Sequence, residues 1–482
     1  MLSLAVFAAC TPDATDVTAT GASSPRVDAV LIASIDGPEG EAFVEYGLDG
    51  FDSATPPSAA ASHHEIAVIG LKAGSAYKWR AVVVDADGER YESAEAVFEV
   101  PDAPALLRGA SVVVNEPDAE LGFFFANLIY TGDTSYAAIV DRDGDFVWWV
   151  DSGGFVIETP ELGIDGASVV WSQYAFDKVT DAGLLVRQSL DGRTRTETRM
   201  VLGHHDFVQH DDGTVAFLSL EPRTVSVGGQ DYDMVSDTIL TGPEGMTDAD
   251  TPTRLFSMFD DFPLQPEVTC PHISSLDFEV GQDGKVAEWT HANSLMYLPE
   301  TDRYYVNDKF TDWLFAIERA TGEVAWILNG RTTNGGDPID TPTFTTPTGD
   351  PLWTEAEQTA LWSHGHMSDL WDGGGLMFDN GDHHVPGVTR AMEFQWDEVA
   401  LTAESVWTFD EPNGHVTAAL GDVRRLPGGH RLITWSGEPG NGYIGPVTEV
   451  DPATDRIVWR FEPPPGGQVA RLVPFVDPYT LR

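Results

Sequence analysis

At 482 residues, 42% hydrophobic and 22% charged, the chain is too long for one core and too ordinary in composition for disorder, so two globular units are expected. Its 27 Lys and Arg against 77 Asp and Glu leave a net charge of −50; such a surface repels the phosphates of nucleic acid and of anionic lipid, which excludes nucleic-acid partners. Beyond the N-terminus no apolar run reaches the ~20 residues that a membrane-spanning helix requires.

The chain opens on a short apolar stretch, Leu2 to Ala9, that ends in Phe7-Ala8-Ala9-Cys10 and gives way to Thr-, Ala-, Ser- and Asp-rich sequence up to Pro25. It resembles the end of a bacterial lipoprotein signal, in which small residues precede a cysteine that is lipidated and becomes the new N-terminus. No Lys or Arg precedes Cys10 and Phe7 stands where Leu is usual, so the true translation start is expected upstream. Residues 1–25 are read as signal and tether, with Cys10 as the lipidation site and a cleavable signal with an incidental cysteine as the alternative. Either way the protein is expected to be exported, periplasmic or on the cell surface, with the lipid anchor as its one membrane contact. An acylated Cys10 leaves Cys270 without a disulfide partner, as a small buried apolar residue.

Residues 26–100 alternate strand and turn, as in Ala42-Phe43-Val44-Glu45-Tyr46, Glu65-Ile66-Ala67-Val68 and Tyr77-Lys78-Trp79-Arg80-Ala81-Val82-Val83-Val84, with Asp85-Ala86-Asp87-Gly88 as a turn. The run Gly70-Leu71-Lys72-Ala73-Gly74-Ser75-Ala76-Tyr77 resembles the corner of fibronectin type III sandwiches, where a Tyr hydroxyl satisfies nearby backbone, so a small β-sandwich is expected here. His63-His64 reads as a solvated loop, and Pro101-Asp102-Ala103-Pro104 as a linker. Whether the sandwich pairs subunits into a homodimer is left open.

From 105 to 482 one pattern returns: an alternating strand, an Asp/Gly turn, then a strand carrying Trp. It runs from Ala138 to Trp148, from Phe315 to Trp326 and from Val447 to Trp459, with a looser copy from Ala391 to Trp407. Repeated four-stranded units without helical periodicity point to a β-propeller, whose inner strands line an axial channel where distant sequence meets. Three histidine-centred clusters are spaced to converge there: His204-His205-Asp206, His291-Ala292-Asn293 and His364-Gly365-His366. In extended chain His291 and Asn293 share a face, as do His364 and His366. A segment from Arg331 to Ala360, rich in Thr, Pro, Gly and Asp, is long enough for a binding loop over the acceptor or a surface excursion.

Taken in order, Gly203-His204-His205-Asp206, Glu288-Trp289-Thr290-His291-Ala292-Asn293-Ser294, Gly365-His366 ahead of Phe378-Asp379-Asn380-Gly381, and Thr389-Arg390-Ala391 resemble the bacterial arylsulfate sulfotransferases. The resemblance implies an all-β, six-bladed propeller that moves a sulfuryl group from a phenolic sulfate ester to a phenol without a nucleotide sulfate donor; neither cofactor nor metal is expected. It implies His366 as nucleophile, with His205, His291 and Asn293 binding and polarising the sulfate; His204, His364 and Arg390 belong to the same expected site. The family's Arg, eighteen residues past the His of the His-x-Asn motif, corresponds to Lys309, which keeps the charge and loses the planar fork. A late family Thr falls near Thr434 or Ser436. The acid/base role is placed on His205, with His291 as the other candidate.

Three rival readings stand beside this one. The His clusters and His383-His384 contain zinc- or iron-type ligands, as a metal-dependent hydrolase would need. Thr321-Gly322-Glu323-Val324-Ala325-Trp326 is like the turn-plus-Trp motif of quinoprotein propellers, in a single good copy. A non-catalytic, surface-tethered binding module is the third. Finally, a carboxylate-rich surface suits high salt, where counterions screen self-repulsion. The Tm is expected to climb as KCl rises from millimolar to molar, and a falling Tm would remove that reading.

Overall fold

The tryptophan-bearing hairpins become the third and fourth strands of four sheets. They are Thr134–Asp141 with Phe146–Asp151, Trp313–Glu318 with Val324–Leu328, Arg390–Asp397 with Thr402–Asp410, and Val447–Asp451 with Arg456–Glu462. Trp148, Trp326 and Trp459 are buried, so the repeat is a packing signal: a large ring at a fixed place on each sheet. The computed structural model describes residues 17–130, 134–174, 183–227, 230–262, 278–279, 285–331, 333–334, 337–338, 340–353, 361–381, 383–436 and 444–481. Cys10 and Cys270 lie outside the described residues.

Six sheets form the propeller, and their inner strands are Gln468–Phe475, Val156–Leu162, Gly203–Gln209, Ala292–Leu298, His366–Trp371 and Asp422–Arg425, for blades 1 to 6. Each inner strand touches the next in that cycle, and the last touches the first. Closure is by hydrogen bonding at two places. The C-terminal strand Gln468–Phe475 pairs with Phe123–Tyr130 to complete blade 1, and Ser111–Asn115 pairs with Arg456–Glu462 as a fifth strand of blade 6. Closure in this way ties the two ends of the propeller's chain into the ring, while each blade keeps its outermost strand as an edge. Four antiparallel strands return the chain to the end where it began, so the inner strands run parallel and all start at one end of the channel.

Those inner strands are not regular. Register with the neighbouring strand breaks between Ile157 and Pro160, Gly203 and Phe207, Ala292 and Ser294, Met367 and Asp369, and Val469 and Leu472. A bulge releases residues from the ladder and re-aims their side chains, and the released residues here include Glu158, His204, His205, Asp206, Asn293 and Arg471.

The N-terminal unit, which runs to Ala103 by its internal contacts, is organised on one long strand, Leu31–Gly47. Its first half pairs with Thr18–Ser23 and Ala61–Val68, its second half with Ala76–Asp85, and the switch falls between Asp36 and Gly40. A side chain at Gly40 would meet the Val84 carbonyl, which explains a glycine there. The Tyr77 hydroxyl accepts the Lys72 backbone N–H at 3.2 Å, the corner expected from sequence. Two expectations are corrected. The sheet begins at Thr18, inside the segment read as tether, because its Thr/Ala/Gly run pairs residue for residue with Leu31–Asp36. His63 and His64 lie on a strand: His63 is exposed beside Asp36, and His64 is buried against Ser58 and the Ala61 carbonyl.

The described part of the 331–360 segment sends Phe344 into the core beside Trp326 and bridges Thr345 to Thr402, so it packs along the outer strands of blades 4 and 5. No described helix is long and apolar enough to cross a membrane.

Candidate active site

The three histidine clusters arrive at the starting end of consecutive inner strands: Gly203–Gln209, Ala292–Leu298 and His366–Trp371. Their rings form a chain of contacts. His204 and His205 lie 5.1 Å apart between centroids, with Nδ1 to Nδ1 at 2.9 Å, and His205 stands 4.9 Å from His291. His291 packs on Phe310 at 5.0 Å, Phe310 faces His364 at 6.5 Å, and His364 lies 4.2 Å from His383. His205 and His364 both hold left-handed backbone, φ +46° and +53°, a conformation that non-glycine residues adopt at a cost and that collects at functional sites. Asp312 secures the second of these by accepting the His364 N–H at 2.6 Å.

Each imidazole has its own electrostatic setting. His366 is 3% exposed with Nδ1 2.9 Å from Asn380 Oδ1; burial, then the charges of Arg471 and Lys309, hold it well below the ordinary histidine range. Burial, followed by the neighbouring His291, His204 and Arg471, does the same to His205. His291 goes the other way. Burial opposes its charge, but Glu288, 2.8 Å from Nδ1, outweighs burial and raises its proton affinity. The backbone under His291 rests on two buried carboxylates: Asp308 accepts the His291 N–H at 2.7 Å and Asp237 accepts the Ala292 N–H at 2.9 Å. Burial and Asp237 push the Asp308 carboxyl up to about 7.

Two groups absent from the sequence-derived set occupy the axis. Arg471, 3% exposed on the inner strand of blade 1, donates to Asp206 Oδ2 at 3.1 Å, to the Asn293 carbonyl, and to Ser294 Oγ at 3.2 Å, so it ties blades 1, 3 and 4 together. Glu158, released by the blade 2 bulge, accepts the Tyr174 hydroxyl at 3.1 Å and reaches to 3.9 Å from His205 Nε2; burial raises its pKa. In sequence, Arg471 stands as one cation in the apolar run Val469-Ala470-Arg471-Leu472-Val473, which is the signal that could have found it.

Two of the residues expected at the substrate also hold neighbouring backbone and side chains. Asn293 is buried; its Nδ2 donates to the Gly365 carbonyl at 2.9 Å and its Oδ1 accepts from Asn307 Nδ2 at 2.9 Å, so it positions the backbone next to His366. Arg390 directs Nε to Asp379 at 2.9 Å and Nη2 to the Leu361 carbonyl at 2.8 Å; it braces the turn before His364. Lys309 bonds the Ala418 carbonyl at 2.8 Å from the turn after Asp308. Thr434 and Ser436 bond Val469 and Gln468; the threonine in contact with the Asn380 amide is Thr417.

Among the described residues, the grouping of three metal-type ligand side chains is Asp141, Asp143 and Asp145, in the outer turn of blade 1 and not in the histidine clusters. A separate cleft of about 570 Å³ lies where inner strands finish, between Arg425, Arg431, Pro474 and Phe475, and none of the histidines lines it.

An all-β ring of six blades with clustered imidazoles at one mouth defines the class. The chain belongs to the arylsulfotransferase (ASST) family, whose model matches residues 110–463, and that membership supports arylsulfotransferase activity in general. No curated protein matches it. Solved structures that align with it include a putative 6-phosphogluconolactonase from Bacteroides uniformis, 12% identical with a TM-score of 0.34 over 90% of this chain and 99% of that one. Another is the β-propeller domain of Cps50 (Swd1) from Myceliophteria thermophila, 10% identical with a TM-score of 0.34 over 73% and 90%.

Proposed function

We propose that this chain moves a sulfuryl group from a phenolic sulfate ester to a phenol through a sulfohistidine on His366. The observation that carries the reading is His366 itself: a buried imidazole kept neutral by its surroundings, one residue from the backbone that Asn293 holds, with Lys309 and Arg471 near enough to be felt. A neutral imidazole is a nucleophile; an imidazolium is not.

In the first half-reaction the His366 lone pair attacks sulfur and the bond from sulfur to the aryl oxygen breaks, with its electron pair leaving on the phenol oxygen. That oxygen takes a proton from His291. In the second half-reaction the acceptor phenol returns a proton to His291, its oxygen attacks sulfur, and the nitrogen–sulfur pair goes back to His366. Sulfuryl transfer resembles phosphoryl transfer in spreading charge over three oxygens, so fixed positive groups lower the barrier most, and Lys309 is the cation suited to that charge. The acid/base role expected of His205 passes to His291. His205 is held neutral, whereas Glu288 favours the charged form of His291, so His291 is the better proton carrier and His205 the better hydrogen-bond partner of the sulfate.

The test is a chromogenic aryl sulfate with and without added phenol. Acceptor-stimulated release supports a transferase, and release that ignores the acceptor or fails entirely overturns it. A finer expectation concerns pH. The donor half-reaction needs protonated His291, so it declines as pH rises through that residue's raised pKa. In Glu288→Gln the charge that raises it is gone, and the decline should begin at lower pH, with a loss of roughly tenfold or more at pH 8 and less at pH 6. Single-turnover phenol release against pH measures this; an unmoved alkaline limb would take the role away from His291.

A further inference from the structure

We infer that Asn380 decides which nitrogen of His366 reacts: it holds the ring in its Nδ1–H form, so the sulfuryl group is carried on Nε2. The inference rests on the sulfohistidine reading above and adds the atom.

An amide oxygen and an amide nitrogen look alike, so the direction of Asn380 has to come from its other partners. Asn380 follows the second strand of blade 5, Gly374–Asp379, whose Phe378 pairs with His366. Asn380 Nδ2 lies 3.2 Å from the Leu420 carbonyl, which only accepts, so the NH2 end of the amide must lie there. The second Nδ2 proton goes to Thr417 Oγ1, also at 3.2 Å. Thr389 makes that direction consistent. Its hydroxyl donates to the Asn380 main-chain carbonyl at 2.7 Å and accepts the Thr417 N–H at 2.8 Å, so toward Thr417 Oγ1, 3.4 Å away, it can only accept. Donation therefore runs one way, from the Asn380 amide to Thr417, from Thr417 to Thr389, and from Thr389 back to the Asn380 carbonyl.

What remains for His366 is Asn380 Oδ1, 2.9 Å from Nδ1. That oxygen carries no proton, so Nδ1 must supply it, and in the neutral ring the in-plane lone pair then belongs to Nε2. Asn380 is 0% exposed, Thr389 and Thr417 are 1% and His366 is 3%, so bulk solvent does not reach these groups to replace a partner lost if the amide turned round. Turning it would leave the Leu420 carbonyl facing an oxygen, whichever tautomer the ring then took.

The step balances on this assignment. The Nε2 pair forms the bond to sulfur while the aryl oxygen departs with the old pair and collects its proton from His291. The sulfurylated ring then carries one positive charge, shared with the Asn380 oxygen, against one negative charge on the SO3 group. On transfer the pair returns to Nε2, and the Nδ1 proton stays in place throughout. Asn380 is a positioning residue; it touches the nucleophile, not the substrate.

The decisive measurement uses the unaltered full chain labelled with 15N-histidine, mixed with excess aryl sulfate, quenched in alkali because the N–S bond is acid-labile, and read by NMR. Sulfurylation at Nε2 is expected. Sulfurylation at Nδ1 overturns this inference while leaving the transferase reading intact, and absence of any sulfurylated histidine overturns both. Two variants separate positioning from packing. Asn380→Ala should lower kcat on the order of 10²-fold with donor KM within about threefold. Asn380→Asp should keep Nε2 as the reacting atom but move the acidic limb of the rate profile to higher pH, because a carboxylate raises the proton affinity of His366. If Asn380→Ala keeps kcat within about threefold and Asn380→Asp leaves the acidic limb in place, Asn380 merely fills space and the inference fails.

Discussion

His366→Ala is expected to lower acceptor-dependent turnover of an aryl sulfate by about 10³-fold or more, since it removes the attacking atom while the surrounding donors remain. The substitution also deprives Asn380 Oδ1 of its partner in a buried place, so some loss of stability accompanies it. Thermal unfolding of the variant separates the two effects: a cooperative transition with no turnover assigns the loss to chemistry. His205→Asn, tested beside it, should keep detectable turnover, because that residue orients sulfate and does not bond to sulfur. Activity of His366→Ala within about tenfold of the parent would remove His366 as nucleophile.

The second large effect is expected at Arg471. Its guanidinium meets Asp206 at 3.1 Å with both side chains nearly out of solvent, 4% and 7% exposed, and it also reaches Asn293 and Ser294. Arg471→Met leaves Asp206 as a buried charge without its cation, a change that typically costs about 3–5 kcal/mol. Against a domain stability of about 5–15 kcal/mol, that is a large fraction, and denaturant titration should show it clearly. Arg471→Lys keeps the charge but loses the fork that serves three acceptors at once, so a smaller loss is expected. A separate pH effect is expected. Arg471 is, after burial, the largest influence holding His366 neutral, so in Arg471→Met the acidic limb of the rate profile moves to higher pH. A limb that stays in place would mean that burial alone sets the protonation of His366.

The blades are legible in the chain because a hairpin is local. The strand, Asp/Gly turn and Trp strand from Phe315 to Trp326 lie within a dozen residues, and the same pattern recurs wherever a sheet must present its outer face. The histidines are legible because imidazoles at the entry of inner strands break the apolar alternation. Arg471 is harder to see for the same reason that it matters: a bulge between Val469 and Leu472 releases it from the ladder, and alternation cannot tell which face a bulged residue takes. Asn380 and Thr417 are separated by 37 residues, and nothing in either neighbourhood announces that they share a hydrogen bond. The segment up to Pro25 misleads in the opposite direction, since a polar Thr/Ala/Gly run has the composition of a tether and still pairs as an edge strand from Thr18 to Ser23.

The sequence by itself determined the β class, the repeated blade unit and the set of imidazoles, because each is written in short-range pattern. Only the tertiary structure decided which of those imidazoles is neutral and which attracts a proton. That follows from burial and from charges that arrive across the ring: Arg471 and Asp206 are 265 positions apart in the chain and 3.1 Å apart in space. A proton's affinity for a ring depends on the field at that ring, and the field is set by folding rather than by neighbours in sequence.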